Sequence, residues 1–352
     1  MAEIDYFCKK EVWDAYATSH ESGLFSHLFA WGDSFCSVYN LKIFRIAARQ
    51  PTNPKQITGM LPLIFFNAPG RENRLISLPY TDAAGVLADD TKTEARLVSA
   101  ALQLADDLDV PHVELRRAGP NGWAGSDQHR FDPDFYHQPF DFKVGLRRRL
   151  PPSVPELWQD LGPKVRNQIR KAEKNGCRIV IGHIDLLDRF YTVFSENMRD
   201  LGSPVHHKTL FTTLADRFGD SMRCVGVVIG NAPVAASIVF RHRSTLYNPW
   251  ASSLRRFRPV CPNMLLYWAM LCHAVETGSR VFDFGRSSPQ AGTCRFKLQW
   301  GARMTPLTWH VYSRKPRSWD PGNETLVSEQ VKALSLKESV SKGPGKRKWI
   351  SL

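Results

Sequence analysis

Apolar positions recur every three to four residues in some stretches of the chain and every second residue in others, and these two spacings sort it into elements. Glu21 to Phe35 has the helical spacing through Leu24, Leu28 and Trp31, and Thr91–Asp109 has it through Ala95, Val98, Ala101, Leu102 and Ala105. Leu41–Ala48 alternates as a strand does. Thr58–Phe66 (TGMLPLIFF) reads as another after a Pro- and Asn-rich turn at 51–54, and His112–Arg116 as a third. Ser77–Ala88 predicts a loop plus a strand. Gly119–Pro139, rich in Gly, Pro, Asp and His, predicts an irregular loop over a cleft.

A proline-dense join at 150–155 (LPPSVP) opens the second half. Ser153 and Glu156 have the spacing of a capping box, and Pro163 suits the first position of a further helix over Lys164–Asn175, stopped by Asn175-Gly176. A strand at Arg178–Ile181 follows, then a helix with Leu187, Tyr191, Phe194 and Met198 on one stripe, and a helix over Lys208–Phe218. Cys224–Ile229 and Val234–Phe240 flank Gly230-Asn231, a hairpin signal. Leu246–Ala251, a helix over Leu265–Thr277, and strands at Val281–Phe284 and Leu307–Tyr312 complete the order. This is α+β, a mostly antiparallel sheet with a crossover helix. The expected organisation is a first domain over 1–150, a second over 151–312, and a loosely ordered basic tail over 313–352.

Composition narrows the classes. At 352 residues, 43% hydrophobic and 11% aromatic, the chain supports two packed cores rather than extended disorder. No apolar run approaches the ~18 residues of a membrane span, and the N-terminus lacks the design of a secretory signal, so a cytoplasmic location is expected. Seven cysteines without a C-x-x-C argue against a zinc site or a disulfide framework. Charge is asymmetric: residues 1–145 carry 14 basic and 19 acidic side chains, residues 146–352 carry 33 and 15. The basic half is suited to a polyanion, whether nucleic acid, a phosphorylated donor or an anionic membrane surface.

Three constellations carry candidate chemistry. On the helix at 161–178, Leu161, Val165, Ile169 and Ala172 share one arc, while Lys164, Arg166, Arg170, Lys171, Lys174 and Arg178 fan over the other with only Glu173 to balance them. Arg166, Arg170 and Lys174 are the candidate donor-binding cations; a solvated helix face is the plainer reading. In Val281–Ser288, Phe282 and Phe284 share one strand face and Asp283 takes the other. A carboxylate between aromatics needs a partner, and Arg286 or Arg295 is expected to supply it, either in a site floor or as a structural pair. Lys297, in Arg295-Phe296-Lys297 after Gly292-Thr293, is suited to an oxyanion or a phosphate, although a snorkelling surface lysine explains it as simply. Asn248, Trp250, Asn263 and Tyr267 line a pocket or belong to the core. His206 and His207 are adjacent, a poor spacing for one metal. G-x-S-x-G, the P-loop, H-E-x-x-H and G-x-G-x-x-G are all absent.

Taken together, LGPKVRNQIRKAEKNG (161–176), MRDLGSPV (198–205), NPWASS (248–253), PNMLLYW (262–268), FDFGRSS (282–288) and GTCRFKLQWGA (292–302) resemble the FemAB-like proteins associated with the exosortase/PEP-CTERM system. GMLPL (59–63) and SLPYTDAAGVLADD (77–90) add weaker matches, and the resemblance spans roughly residues 12–312. It implies two tandem GNAT-like domains and a peptidyltransferase-type activity, in which an amino acid moves from aminoacyl-tRNA onto an amine of an envelope precursor. It matches Phe296-Lys297 to the pair that supports that reaction. Two departures stand out: the coiled-coil arm of some FemAB enzymes has no counterpart, and the GNAT pyrophosphate loop [QR]-x-x-G-x-[GA] is missing.

The resemblance therefore implies an N-acyl or aminoacyl transferase of cell-envelope or exopolysaccharide biosynthesis. Lys297 and Asp283 are the expected catalytic residues. Phe296, Arg286, Arg295, Asn248, Trp250, Asn263 and Tyr267 are the expected substrate contacts, with the acidic first domain helping to hold the acceptor. The activated acyl donor, aminoacyl-tRNA or an acyl thioester, is a co-substrate rather than a tightly bound cofactor, and no metal is expected. Partners would be an envelope saccharide or peptide acceptor and the inner face of the cytoplasmic membrane. The alternatives are an acyl-CoA- or acyl-carrier-dependent N-acyltransferase and a non-catalytic saccharide-binding scaffold.

Overall fold

The computed structural model describes residues 3–67, 69–70, 72–118, 134–316 and 328–350. They pack as two units, Met1–Gly145 with Thr305–Trp319 and Trp349–Leu352, and Leu146–Met304 with Asp320–Lys348. The loop expected at 119–139 falls outside the described residues as far as 133, as do residues 317–327 of the expected tail.

The first unit contains β1 (Glu3–Asp5), α1 (Lys10–Ser19), α2 (Phe29–Tyr39), β2 (Lys42–Gln50), β3 (Asn53–Phe66), β4 (Arg74–Ile76), β5 (Leu87–Ala88), α3 (Thr91–Asp107), β6 (His112–Ala118) and most of β7 (Tyr136–Arg149). Alternation decides which helix covers which face. Ile46, Ala48, Leu61 and Leu63 pack with Leu97, Val98 and Ala101 of α3, while the intervening Ala47 and Met60 pack with Trp13, Tyr16 and Ala17 of α1. Asp90 caps α3 by accepting the Thr93 amide at 2.8 Å. Neighbours in the sheet run β1-β2-β3-β4-β6, antiparallel except for β4 with β6.

The second unit begins in the last residues of β7 and continues with α4 (Val154–Asp160), α5 (Pro163–Lys174), β8 (Cys177–Gly182), α6 (Leu187–Leu201), α7 (Lys208–Phe218), β9 (Met222–Ile229), β10 (Ala232–His242), β11 (Thr245–Ser253), α8 (Pro262–Glu276), β12 (Val281–Ser287) and α9 (Gly292–Leu298). The expected elements form nearly where the spacing places them. Ser153 caps α4, Pro163 opens α5, and Gly202 closes α6 at φ 77°. The sheet order is β12-β11-β10-β9-β8, antiparallel except for the parallel pair β11–β12, which α8 bridges. Val165, Ile169 and Ala172 bury the apolar stripe of α5, which packs against α8.

Two expectations are corrected here. β13 (Arg303–Ser313) runs antiparallel to β6 from Leu307↔Ala118 to Ser313↔His112, so the final strand completes the first unit's sheet instead of ending the second. Its alternating Leu307, Trp309 and Val311 are buried there, and the Arg116 guanidinium lies 4.0 Å from the Trp309 ring centroid. The loosely ordered tail also fails for α10 (Leu336–Arg347). Ser335 and Glu338 form a reciprocal capping box, Lys342 pairs with Glu338 at 3.0 Å, and the helix packs on α6 with Ser339, Gly343 and Arg347 buried. Arg347 Nε donates to His206 Nε2 at 3.2 Å. Seven cysteines form no disulfide. No helix among the described residues is long and apolar enough to cross a membrane.

Candidate active site

The parallel pair supplies the opening. β11 and β12 are in register only at Thr245↔Val281, Leu246↔Phe282 and Tyr247↔Asp283, although β11 continues to Ser253 and β12 to Ser287. A bulge separates them. Trp250 opposes Ile238 and Tyr247 opposes Phe240, so Asn248 and Pro249 together face Val239. Such a bulge bends its strand, and a proline, which has no N–H to donate, fits there. Asn248 holds the bend: its Nδ2 donates to Ser237 Oγ at 2.5 Å and to the Trp250 carbonyl at 3.2 Å. Its Nδ2 is thus committed to the strand pair around the bulge. Ligands in open sheets bind where the carboxyl ends of parallel strands part.

Aromatic rings cluster on the α8 side of β12. Tyr267 of α8 stacks on Phe284 at 5.7 Å and meets the edge of Phe296 at 4.9 Å, with Trp300 at 6.0 Å. Burial raises the Tyr267 pKa well above its ordinary value, so the phenol stays protonated. Lys297 lies on α9 and is only 9% exposed, so the snorkelling reading does not hold. Its Nζ donates to the Arg286 carbonyl at 2.7 Å, tying α9 to the end of β12. At the far ends of the two strands, Ser253 Oγ and Ser287 Oγ are buried without a hydrogen-bond partner.

Asp283 faces away from the aromatic side, by strand alternation from Phe282 and Phe284. Its partner is neither Arg286 nor Arg295 but Arg147 of β7, whose Nε lies 2.8 Å from Oδ2. The other oxygen accepts the Gly285 amide at 2.8 Å, a local turn that Gly285 permits at φ 70°. Tyr247 lies across the register from Asp283, and burial followed by that carboxylate pushes its pKa up to about 12. Arg295 is exposed, and Arg286 and Asn263 are half-buried. Trp250 packs with Phe211 at 5.1 Å and His206 at 5.9 Å. Arg166, Arg170 and Lys174 sit on α5; Arg170 lies over the Trp158 ring at 5.2 Å, and none of the three touches the Lys297 group.

Four neighbours of the candidate site, Arg147, Arg148, Ser253 and Ser287, are not among the residues that the sequence singles out. In the Arg147–Arg149 run, Arg147 reaches Asp283 while Arg148 donates to the Trp300 carbonyl at 2.6 Å, pinning the end of α9. Adjacent strand residues point to opposite faces, so a run of three arginines on a strand is the available signal. Ser253 and Ser287 each belong to a Ser-Ser pair ending a matched segment, and nothing else marked them. No three His, Cys, Asp or Glu side chains among the described residues are arranged to hold a metal ion.

In the second unit, a mostly antiparallel set of strands whose parallel pair β11–β12 parts beside a bulge beneath a crossover helix defines a GNAT-like fold. Residues 163–298 match the family described as an acetyltransferase (GNAT) domain. The chain is similar in structure to FemX, with 15% identity and a TM-score of 0.67 over 88% of this chain and 96% of that one. It is also similar to L-PGS from Bacillus licheniformis, with 11% identity and a TM-score of 0.57 over 93% and 98% of the two chains. A tandem GNAT protein from the clavulanic acid biosynthesis pathway gives 12% identity and 0.54 over 90% and 100%. At such identities the likeness is one of fold, and it agrees with the tandem GNAT-like α+β class expected from the sequence. No curated protein matches the chain.

Proposed function

We propose that this chain is an N-acyltransferase that forms an amide bond in the opening between β11 and β12. The observation that carries the reading is the buried Lys297 ammonium, fixed on the Arg286 carbonyl at the end of the parting strand pair. The acceptor amine attacks the carbonyl carbon of an activated acyl ester or thioester. The new C–N bond forms, the acyl C–O or C–S bond breaks, and the proton lost by the amine ends on the departing oxygen or sulfur, which leaves as alcohol or thiol. Charge develops on the acyl oxygen in the tetrahedral intermediate, and a positioned cation in a water-poor site stabilises it at no cost of reorganisation. Ser253 and Ser287 supply hydroxyls to the bound donor or acceptor, and Tyr267 and Phe296 form the apolar wall. Asp283, held by Arg147, acts by positioning β12, and that carries over its expected role in altered form.

The donor we favour is aminoacyl-tRNA and the acceptor an amine of a cell-envelope or exopolysaccharide precursor, on the resemblance of the matched segments to FemAB-like proteins; an acyl thioester is the other donor. The test supplies radiolabelled aminoacyl-tRNA and, separately, labelled acyl-CoA, with a panel of amino sugars and peptides, and measures alkali-stable label on the acceptor. Amine-dependent transfer from either donor supports the reading and identifies the donor. Saccharide binding with no consumption of either donor would replace it with the scaffold.

A further inference from the structure

Apart from the acyl-transfer site, α5 and β8 build a surface of unusual composition. β8 is the last strand in the second unit's sheet order. Val180 faces α6, lining a small cavity with Phe190, so its neighbours Ile179 and Ile181 face the side that carries α5 and α8. Ile179 is 39% exposed, Ile181 44%, and Ile184 in the turn that follows 50%. α5 precedes β8 directly. Its apolar stripe is buried, so Lys164, Arg170, Lys171 and Lys174 are turned to solvent. Lys164, Arg166, Lys171 and Lys174 have no ion-pair partner among the described residues, and Arg170 has only the Trp158 ring. Of the exposed acidic groups nearby in the chain, Asp160 pairs with Arg148 at 3.4 Å, Asp188 with Lys208 at 2.6 Å, and Glu156 accepts from Ser153, which leaves Glu173 and Asp185.

We infer that this face docks on a membrane surface bearing anionic lipid. The charge selects the partner. A second copy of the chain would bring the same cations against one another, and exposed isoleucines gain nothing from a nucleic-acid backbone, whereas hydrocarbon receives them. Lysine and arginine at the headgroup level with apolar side chains dipping below is the usual division of labour at such a surface. The surface is on the α5 side of the sheet and does not depend on the acyl-transfer reading.

The full chain is sedimented with vesicles of 30% phosphatidylglycerol in phosphatidylcholine, and with phosphatidylcholine alone, at low and high salt. Binding to the anionic vesicles only, weakened by salt, is expected. Each cation near the surface contributes about a fivefold factor, so the joint substitution Lys164→Gln, Arg170→Gln, Lys171→Gln and Lys174→Gln should lower partitioning several hundredfold. Ile181→Ser should lower it several-fold and abolish what survives at high salt. These side chains are exposed, and an unchanged circular-dichroism melt verifies that each variant folds. Equal binding to both vesicle types, or a quadruple variant that binds as well as the parent, overturns the inference. So does tight retardation of tRNA through the same four cations with no vesicle binding, which would make the partner RNA.

Discussion

Replacing Lys297 by Met removes one charge and keeps most of the stem, which makes it the sharpest probe of the site. Lys297 is buried and its Nζ lies 2.7 Å from the Arg286 carbonyl, so the variant loses a charge-assisted hydrogen bond worth about 1.5–3 kcal/mol. No cavity term adds to this, because the methionine side chain refills the volume. For a chain of this size that loss lowers the melting temperature by roughly 3–6 °C at about 2 °C per kcal/mol. A lost oxyanion donor costs more in rate, about 10²–10³ in turnover. The two readouts therefore separate. Turnover is measured as label transferred from the preferred donor, and folding by differential scanning calorimetry on the same samples. A hundredfold loss of rate with a melt shifted by only a few degrees supports the assignment, and Lys297→Arg should rescue poorly because a planar fork does not fit a point-charge position. Retention of more than about a tenth of parental turnover in Lys297→Met, against that expected loss, refutes it.

The remaining predictions concern the framework. Asp283→Asn should cost about 1–3 kcal/mol, less than breaking a fully buried pair, because Arg147 is 35% exposed and finds water; a loss above 5 kcal/mol in urea titration would mean the pair is more deeply buried than described. Asn248→Ala frees the bulge of β11 and should lower stability by about 1–3 kcal/mol while raising KM, and an unchanged KM would contradict its part in shaping the opening. His310 has its pKa lowered to about 4, by burial first and then by His137 and Arg117, and burial followed by Arg347 lowers that of His206 too. Both are neutral when folded and take a proton more readily when unfolded, so their stabilisation is complete above about pH 6.5 and declines as pH falls toward 4, by roughly 1.4 kcal/mol per pH unit per histidine. His310→Gln should flatten the fall in melting temperature over that window, and an unaltered slope would refute the assignment.

The local spacing made most of the second unit legible: α5, α6, α7 and the β9–β10 hairpin all form within a few residues of the pattern that predicts them. Lys297 and Tyr267 stand out through the matched segments rather than through periodicity, and both are buried. What was hidden depends on long-range pairing. Asp283 finds Arg147 across 136 positions, and β13 returns to β6 across the whole second unit, relations that no local window contains. The hydrogen bonds of Asn248 around the bulge are likewise invisible locally, because a buried amide looks the same in sequence whether it meets a ligand or its own sheet. The tail was misread because Lys, Ser, Gly and Pro outweighed a valid Ser335–Glu338 cap.

The pairing of β13 with β6 sets a timetable for synthesis. About 185 residues separate Ala118 from Arg303, and at 5–20 residues per second the ribosome takes roughly 10–40 s to make them. Throughout that interval β6 presents an open row of backbone donors and acceptors on the side that β13 will occupy, the kind of edge that recruits foreign strands. The first unit therefore waits for nearly the whole chain before its sheet is closed. Residues 1–145 produced alone should be insoluble or chaperone-bound, and adding residues 305–316 in trans as a peptide should restore solubility.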